Sequence, residues 1–376
     1  MKSELFKPYR ISDRESPNRL VAQAMEVNSA EPGGAVSEMV LNRYRTLAEG
    51  RWGIVFVEAT SVTEKHVGKS NGLVLSRKNL DGFKQLVEDY KNIDDSCLLM
   101  IQLTHSGRQS VAPQRVKVYE DEETDIPIVT EKELEEVLQD HIDAAGLARE
   151  AGFDGVDIKS CHGYLGAELL RPLNQRKDKF GGSVENRAYL IASAIESAVR
   201  DNPGLIVGTR MSAYEGLRGG CGTAGPEEIL EDFTDIKKIA GIFVDAGARF
   251  LNITGGTRLG CPQLIGPKKN DSFCRLSQFR YTRQFKEWFP DTALIGSTYS
   301  SAEAGSILSA EENISKGYTD FAGFGRQNLA DPEFPRKISE GEDTIKFCKL
   351  CGRCSKLLAD DLNIFCAYHN PENPFK

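Results

Sequence analysis

The sequence contains no long apolar run and no excess of positive charge. None of its 376 residues lies in a stretch of about 18 consecutive apolar residues, the length that a membrane-spanning helix requires. The N-terminal segment mixes charges and prolines, so we expect no signal peptide, no membrane partner and a cytoplasmic location. A formal net charge of −8 argues against a nucleic-acid partner, because binding to phosphates requires a basic surface.

The sequence also gives no sign of a disulfide framework. It has nine cysteines, an odd number, and no secretory signal is expected. A chain of this length buries about three-quarters of its unfolded surface and does not require disulfides to stay folded. Four of the nine cysteines lie among the last 29 residues, and that cluster requires a separate explanation.

Eight short apolar runs separated by helical patterns predict parallel strands, because the runs are nearly continuous and do not alternate with polar residues. The runs are residues 20–23, 54–57, 97–103, 155–159, 206–211, 250–254, 293–296 and 321–324. The clearest helix begins after Thr130, which forms a capping-box pattern with Glu133, and ends at Gly152. Further helices are expected after Ser183 and from Pro226. We predict a (β/α)8 TIM barrel, with an open doubly wound sheet as the alternative. No G-x-G-x-x-G motif follows the first run, which weakens that alternative.

Polar side chains follow nearly every predicted strand. A barrel places its chemistry at the carboxyl ends of its strands, so these side chains are expected at one face. They are Glu26, Glu58, Thr60, Gln102, His105, Arg108, Lys159, His162, Tyr164, Arg210, Thr254, Ser297, Thr298, Gly325 and Arg326. Almost every strand therefore ends in a group that can bind or react.

The densest polar cluster is Lys159-x-x-His162-x-Tyr164. Lysine and histidine can donate to a carbonyl oxygen or a developing oxyanion, and tyrosine can deliver a proton. A strand-end lysine beside a packed histidine and tyrosine is the structural alternative. Loops after strands seven and eight of such barrels often bind phosphate, so Ser297-Thr298 and Gly325-Arg326 form a candidate phosphate site. Alternatively, Gly325 only makes a tight turn.

The C-terminal cysteines have the spacing Cys348-x2-Cys351-x2-Cys354-x11-Cys366. Four cysteines can hold a 4Fe-4S iron–sulfur cluster or a tetrahedral zinc ion. Zinc sites more often have two separated pairs, so three closely spaced cysteines with a distant fourth favour the cluster. Zinc and free thiols remain the alternatives.

Several segments resemble the FMN-dependent old yellow enzyme family of barrel oxidoreductases. The segments are NRLVAQAM, IQLTHSGR, GFDGVDIKSCHGYLGAELLRPLNQRKDKFGGSVENR, GTRMS and FGRQNLADPEFPRK. The resemblance covers about residues 5–340, and its long central motif is highly specific. The final cysteines look most like those of the trimethylamine dehydrogenase and 2,4-dienoyl-CoA reductase branch.

The resemblance implies an FMN that lies across the top of the barrel. The residues implied for FMN are Ala24, Met25 and Ala59 at the ring, Gln102 and Arg210 at its pyrimidine side, and Ser297, Thr298, Gly325 and Arg326 at the phosphate. Tyr164 matches the proton-donating tyrosine of the family, and His162 matches the second member of its substrate-anchoring pair.

Two residues depart from the family pattern. Lys159 stands where the first member of the anchoring pair is usually histidine, and a lysine could hold a carboxylate or stabilise an enolate. Glu26 stands where many members have threonine or cysteine. A carboxylate near the flavin would disfavour a reduced flavin anion unless it points away or is protonated. Both departures bear on the type of reaction.

We therefore expect an FMN-binding barrel at residues 1–345 and a cluster-binding extension at residues 346–376. The predicted activity is hydride transfer between flavin N5 and a small substrate, above all reduction of the C=C bond of an α,β-unsaturated carbonyl or carboxyl compound. The electron donor would be NAD(P)H or a partner protein, because the FAD and NAD(P)H region of larger members is expected to be missing. Oxidative demethylation of an amine, a non-catalytic electron-transfer subunit and a hydrolase using Glu26 and Glu58 are the alternatives. A homo-oligomer is left open.

Overall fold

The computed structural model describes residues 3–258, 260–266 and 272–376. Its strands, numbered in chain order, are β1 (Tyr9–Ile11), β2 (Arg14–Ser16), β3 (Leu20–Ala22), β4 (Ile54–Ser61), β5 (Leu98–Thr104), β6 (Gly155–Ile158), β7 (Ile206–Ser212), β8 (Phe250–Thr254), β9 (Ala293–Gly296) and β10 (Phe321–Phe324). Strands β3 to β10 form a closed barrel in which each strand is parallel to its neighbours. The barrel closes where Leu20 and Ala22 pair with Ala322 and Phe324. The predicted barrel is confirmed, and the open sheet is wrong.

Helices surround the barrel between the strands. In the described residues they are α1 (Glu38–Glu49), α2 (Leu80–Ile93), α3 (Glu131–Ala151), α4 (Leu165–Leu170), α5 (Val184–Asp201), α6 (Thr234–Asp245), α7 (Pro262–Ile265), α8 (Ser272–Trp288), α9 (Gly305–Ser315), α10 (Arg326–Ala330), α11 (Phe334–Glu340) and α12 (Arg353–Ala359). Within the described ranges, no helix is long and apolar enough to cross a membrane.

The barrel strands are buried on both faces, which explains their continuous apolar runs. Every residue of β4 and β5 is buried. Alternate strand residues pack against each other inside the barrel, where the rings of Phe56 and Phe250 lie 5.7 Å apart. The β1–β2 hairpin packs against this interior cluster, because Ile11 belongs to it and the Tyr9 ring lies 5.1 Å from that of Phe321. The hairpin was not predicted from the sequence.

Local signals for helix ends are confirmed at two of three predicted positions. Thr130 and Glu133 form the capping box of α3, and Gly152 ends that helix with a φ of +95°. Ser183 caps α5. The helix expected at Pro226 is wrong. Pro226 lies in a turn in which the Glu228 N–H donates to Gly225 O at 3.2 Å, and the next helix, α6, starts only at Thr234.

Two further segments lie against the barrel. One is the segment at residues 112–130, between β5 and α3, which folds back on itself. The Lys117 N–H donates to Pro127 O, and the Val129 N–H donates to Lys117 O, each at 2.9 Å. Residues 346–376, which we call the cysteine tail, contain α12 and dock near the ends of β3 and β10. The Ile364 N–H donates to Val27 O, and the Cys348 N–H donates to the Gln327 side chain, each at 2.9 Å. The predicted division at residue 345 stays a prediction.

Candidate functional site

The carboxyl ends of the barrel strands form one rim, which we call the mouth. Side chains from distant parts of the sequence meet across it. The Tyr164 hydroxyl, after β6, donates to Glu26 Oε2, after β3, at 3.1 Å. The His162 ring lies 3.1 Å from the Thr254 hydroxyl at the end of β8. Barrel closure therefore brings together the polar residues that follow the strands.

A turn of two left-handed residues arranges the predicted catalytic cluster. His162 has a φ of +61° and Gly163 a φ of +74°, and α4 begins two residues later. The chain reverses at this turn, so that Lys159 Nζ lies 3.4 Å from the centre of the Tyr164 ring. The three predicted catalytic residues therefore share one place at the mouth. Their roles in catalysis stay predictions.

Lys159 is a buried cation without a polar partner in the described part of the chain. Only 6% of its surface is exposed, and its contact with the Tyr164 ring is a cation–π interaction. Burial lowers the pKa of Lys159, and the charge of Arg210 acts in the same direction, while Glu26 opposes them. If Lys159 were only a structural residue at the end of its strand, we would expect its ammonium to have a hydrogen-bond or ion-pair partner. This ammonium has none in the described part of the chain, so it can bind an oxygen of a ligand.

His162 is held as a neutral ring. Its Nε2 lies 3.1 Å from Thr254 Oγ1, and its Nδ1 lies 3.5 Å from Cys161 Sγ. Burial lowers the pKa of His162 well below its ordinary value, and the charges of Arg210 and Lys159 lower it further. A neutral imidazole carries one N–H, which can donate to a substrate oxygen.

Tyr164 is held as a phenol. Its hydroxyl lies 3.1 Å from Glu26 Oε2 and 3.4 Å from Oε1. Burial raises the pKa of Tyr164 well above its ordinary value, and the Glu26 carboxylate adds to this effect through its charge and its hydrogen bond. The proton therefore stays on Tyr164 at ordinary pH, which a proton donor requires.

Gln102 and Arg210 are joined by a buried carboxylate that was not predicted from the sequence. Asp157 Oδ2 accepts from Gln102 Nε2 at 2.7 Å, and Oδ1 accepts from the Arg210 N–H at 2.5 Å. Burial raises the pKa of Asp157 to about 6. The only sequence signal was a carboxylate inside an apolar strand run. Arg210 also donates to Ser297 Oγ at 3.4 Å, while its buried Nε has no partner in the described ranges.

The four predicted phosphate ligands lie after β9 and β10. Thr298 has a φ of +70° and precedes a short 3-10 turn, Tyr299–Ala302. A Cβ atom at Gly325 would lie 3.2 Å from Met25 Sδ, so a larger residue would crowd the end of β3. Arg326 makes no hydrogen bond or ion pair with any described residue, so its guanidinium can bind an anion.

These residues fit an FMN. Arg326 offers unpaired donors to a phosphate, and the orphaned Arg210 Nε offers a donor to a ring oxygen or nitrogen. Ala24 and Met25 are half-buried at the end of β3, and Ala59 is buried within β4, as expected for small or apolar residues beside an aromatic ring. These assignments stay predictions, because the fit concerns donor chemistry and space alone.

Arg258 is a further residue of the mouth that was not predicted. It is exposed, and it lies close enough to lower the pKa of both His162 and Tyr164. It follows β8 by four residues, so its position after a strand was the signal that could have found it. Together with Lys159 and Arg210 it makes this side of the mouth cationic.

The paired carboxylates of the hydrolase alternative are not arranged for that role. Glu58 is only 1% exposed, and its Oε2 accepts from the Val27 N–H at 2.8 Å. Burial raises the pKa of Glu58 to about 7. Glu26 instead accepts from Tyr164. Glu58 therefore holds the backbone after β3 and is closed to a substrate.

The four cysteines of the tail lie in one neighbourhood. Cys348 is buried, Cys354 and Cys366 are half-buried, and Cys351 is exposed. Burial raises the pKa of Cys354, and the nearby Cys366 and Cys351 act in the same direction. Four thiols are a suitable donor set for a 4Fe-4S cluster. However, no three His, Cys, Asp or Glu side chains in the described ranges form a group that could hold an ion as they stand. The cluster stays a prediction.

The fold and the rim of polar residues define a barrel of the flavin-oxidoreductase class. A model of the NADH:flavin oxidoreductase / NADH oxidase family matches residues 4–344, and the chain belongs to this family. The predicted family and the predicted enzyme class, an FMN-dependent oxidoreductase, are confirmed.

Two curated relatives and one solved structure are similar to the chain. An NADH oxidase of Thermoanaerobacter brockii is 29% identical in an alignment of 365 positions that covers 92% of this chain and 52% of that protein. An NADPH dehydrogenase of Bacillus subtilis (strain 168) is 29% identical in an alignment of 362 positions that covers 92% of this chain and 96% of that protein. A 2-naphthoyl-CoA reductase structure has a TM-score of 0.85 and 22% identity, and covers 98% of this chain and 57% of its own. This chain therefore spans about half the length of the first of these relatives.

Proposed function

We propose that the chain is an FMN-dependent reductase of carbon–carbon double bonds that are conjugated to a carbonyl or carboxyl group. The observation that carries this proposal is the arrangement of Lys159, His162 and Tyr164 at the end of β6. An ammonium that has no polar partner in the described ranges, a neutral imidazole and a phenol lie within one turn of the chain. Two of these groups suit an oxygen of the substrate, and the third suits a carbon that takes up a proton.

The residues of the rim would hold FMN in the manner that the resemblance implies. Ala24, Met25 and Ala59 would border the ring. Gln102 and Arg210 would bind its pyrimidine side, and Ser297, Thr298, Gly325 and Arg326 would hold the phosphate. The Arg210 Nε and the Arg326 guanidinium, neither of which has a hydrogen-bond partner among the described residues, support this assignment. FMN supplies hydride exchange with a substrate carbon when it is bound.

The chain's own side chains would bind and protonate the substrate. Lys159 and His162 would donate to the carbonyl or carboxyl oxygen, which withdraws electrons from the double bond and stabilises the charge that develops there. Tyr164 would give the proton of its hydroxyl to the carbon next to that group. The cations of the mouth also disfavour a positively charged amine, because Lys159 would repel a substrate ammonium. Oxidation of a methylated amine is therefore the weaker alternative.

NAD(P)H or a partner protein would supply the electrons. The names of the two curated relatives, an NADH oxidase and an NADPH dehydrogenase, support a nicotinamide donor. Residues 346–376 would form a cluster-binding extension, with Cys348, Cys351, Cys354 and Cys366 as ligands of a 4Fe-4S cluster. The spacing of the cysteines and their shared neighbourhood support this part of the proposal. Such a cluster exchanges single electrons.

The visible absorption spectrum of anaerobically purified protein, with iron and acid-labile sulfide assays, tests both groups. We expect a flavin spectrum with an additional broad absorbance from the cluster. Because a 4Fe-4S cluster contains four irons and four sulfides, we also expect four of each per chain. A flavin spectrum with zinc or without any metal would refute the cluster and leave the reductase intact. A colourless protein that does not bind added FMN would refute the reductase.

Replacement of Tyr164 tests the proton transfer. The Tyr164→Phe variant should bind FMN normally and reduce an unsaturated ketone or acid about 100-fold more slowly, the lower part of the range for loss of a general acid. Turnover of the unsaturated ketone and of the unsaturated acid is measured with NADH and with NADPH. Methylated amines are tested as substrates in parallel. Tyr189→Phe, a surface change on α5, is the matched control and should behave like the parent.

Unchanged turnover of Tyr164→Phe would remove Tyr164 from the mechanism. Turnover of amines alone would favour the alternative reaction, and turnover of no substrate would favour an electron-transfer subunit.

A further inference from the structure

The two residues that depart from the family pattern lie on either side of Tyr164. The Glu26 carboxylate accepts from the Tyr164 hydroxyl at 3.1 Å, and Lys159 Nζ lies 3.4 Å from the centre of its ring. Of the negatively charged groups that favour the ammonium form of Lys159, Glu26 has the largest effect. A carboxylate and an ammonium that depart from the family pattern therefore both contact the Tyr164 side chain.

We propose that Glu26 is a positioning residue of the proton transfer: it fixes the Tyr164 hydroxyl and returns a proton to it from solvent, while Lys159 balances the charge. This inference rests on the proposed function, because it requires Tyr164 to give its proton to a substrate. Glu26 follows β3, whereas Lys159 and Tyr164 follow β6. No local sequence pattern connects these three residues.

The position of Glu26 suits the return of a proton. Glu26 is half-buried, and a Cβ atom at Gly68 would lie 3.6 Å from its Oε1 and 2.9 Å from Ser106 Oγ. Gly68 belongs to a loop whose neighbouring residues Lys65 and Ser70 are exposed. Glu26 Oε1 therefore faces a solvent-exposed loop, while both oxygens of the carboxylate lie within hydrogen-bond distance of the Tyr164 hydroxyl.

The proton balance explains why both charges are present. The O–H bond of Tyr164 breaks as a C–H bond forms on the substrate, and the electron pair stays on the phenol oxygen. The resulting phenolate lies beside the Glu26 carboxylate, and the two negative charges repel each other. Lys159 stabilises the phenolate from the ring face. Glu26 takes a proton from water, leaving hydroxide in the solvent, and passes this proton to the phenolate. Each turnover then consumes one solvent proton through this route.

The charged groups around Glu26 come from three other elements. Tyr164 lies at the start of α4, Lys159 at the end of β6, and Glu58 in β4, where the charge of Glu26 adds to the effect of burial in raising the pKa of Glu58. Glu58 is closed off by its hydrogen bond to the Val27 N–H. Among the described groups, Glu26 is thus the carboxylate that can exchange a proton with both Tyr164 and solvent.

Repeated turnover compared with a single half-reaction tests the inference. The FMN-loaded protein reduces an unsaturated ketone or acid with excess dithionite as electron donor, and in a stopped-flow instrument the reduced protein is mixed once with the same substrate. Glu26→Gln should slow repeated turnover by about tenfold or more and the single half-reaction less, since glutamine retains an acceptor for Tyr164 but cannot carry the proton that Tyr164 must regain in each cycle. Glu26→Asp should recover part of the rate. Glu64→Gln, a change of an exposed carboxylate in the same loop, is the matched control and should react like the parent.

Two further variants separate proton return from packing. Added formate should restore part of the rate of Glu26→Ala, since a small carboxylate can occupy the space, and it should leave Glu26→Gln unchanged. Lys159→Met combined with Glu26→Gln should lose less than the product of the two single losses, because neither charge is left alone. FMN binding, followed by its fluorescence, should be equal in all variants.

Each outcome decides one claim. A Glu26→Gln variant as fast as the parent, in a protein in which Tyr164→Phe is slow, would overturn this inference and leave the proposed function standing. Multiplicative losses in the double variant and no rescue by formate would also overturn it. Equal rates for Tyr164→Phe and the parent would instead refute the proposed proton donor itself.

Discussion

Arg171 is the cation of a buried charge network beneath the mouth, and its replacement should destabilise the barrel strongly. Only 1% of Arg171 is exposed. Its Nε donates to Glu215 Oε2 at 2.7 Å, its Nη2 donates to Glu215 Oε1 at 3.2 Å, and its Nη1 donates to the Tyr119 hydroxyl at 2.9 Å. The Arg171→Met variant keeps most of the volume of the side chain and removes all three donors.

The expected cost follows from what remains after the replacement. Glu215 is fully buried and would keep no cationic donor among these contacts, only the uncharged groups of Cys221, whose N–H lies 3.1 Å from Glu215 Oε2. Loss of one partner of a buried ion pair leaves a charge without compensation, which costs about 3–5 kcal/mol. Glu168 is affected less, because Arg108 Nε still donates to it. We therefore expect a loss of about 3–5 kcal/mol in the free energy of unfolding.

Urea unfolding of the FMN-loaded protein measures this loss as a lower midpoint with an unchanged slope. Arg200→Met, which breaks the exposed pair with Asp201, is the matched control and should leave the midpoint unchanged. The double variant Arg171→Met with Glu215→Gln should be more stable than the single Arg171→Met variant, because no charge is left unpaired. A single variant within about 1 kcal/mol of the parent would refute the reasoning, since it would place the carboxylate in contact with water.

The network also bears on the site, because a Cβ atom at Gly163 would lie 3.3 Å from Arg171 Nη2. Gly163 belongs to the left-handed turn that places His162 and Tyr164. We therefore expect Arg171→Met to slow alkene reduction as well as to lower stability. Normal turnover in a strongly destabilised variant would show that the turn holds without support from Arg171.

Two smaller predictions concern single side chains. Thr130→Ala removes the capping box of α3 and should lower the free energy of unfolding by about 1 kcal/mol, measured in urea, whereas an unchanged midpoint would contradict this role of the cap. Burial raises the pKa of Asp157 to about 6, so the parent should lose stability as the pH rises from about 4 to about 6, because the unfolded chain ionises first. Asp157→Asn should remove this loss, at most about 3 kcal/mol, and parallel stability curves of variant and parent would contradict the shift.

The architecture was accessible from the sequence because parallel barrel strands leave a local pattern. Each strand is buried on both faces and reads as a short apolar run, and each run was found within a few residues of its observed bounds. Helix ends marked by side-chain caps, such as Thr130 and Ser183, were equally clear. Pro226 misled the prediction, because proline suits the first turn of a helix and also a tight turn, and the turn here is closed by the hydrogen bond from the Glu228 N–H to Gly225 O.

The site was accessible only in part. The position of a residue at or just after the carboxyl end of a strand predicts that it reaches the mouth, and this identified Lys159, His162, Tyr164 and Arg210. Position does not predict which side chains touch. The contact between Tyr164 and Glu26 joins residues that are 138 positions apart, and it depends on the order and closure of the barrel. Asp157 was missed for a related reason, since its partners belong to two neighbouring strands.

Glu26 and Lys159 acquire a physical meaning only as a pair. Read separately along the sequence, a carboxylate near the flavin and a lysine in place of a histidine each cast doubt on the reaction. In the folded chain the two charges flank one phenol, so each reduces the cost of placing the other at the mouth. Replacement of either residue alone leaves its charged partner poorly compensated, whereas replacement of both removes the anion and the cation together. Electrostatic compensation is therefore a sufficient physical reason for the two departures to occur in the same chain.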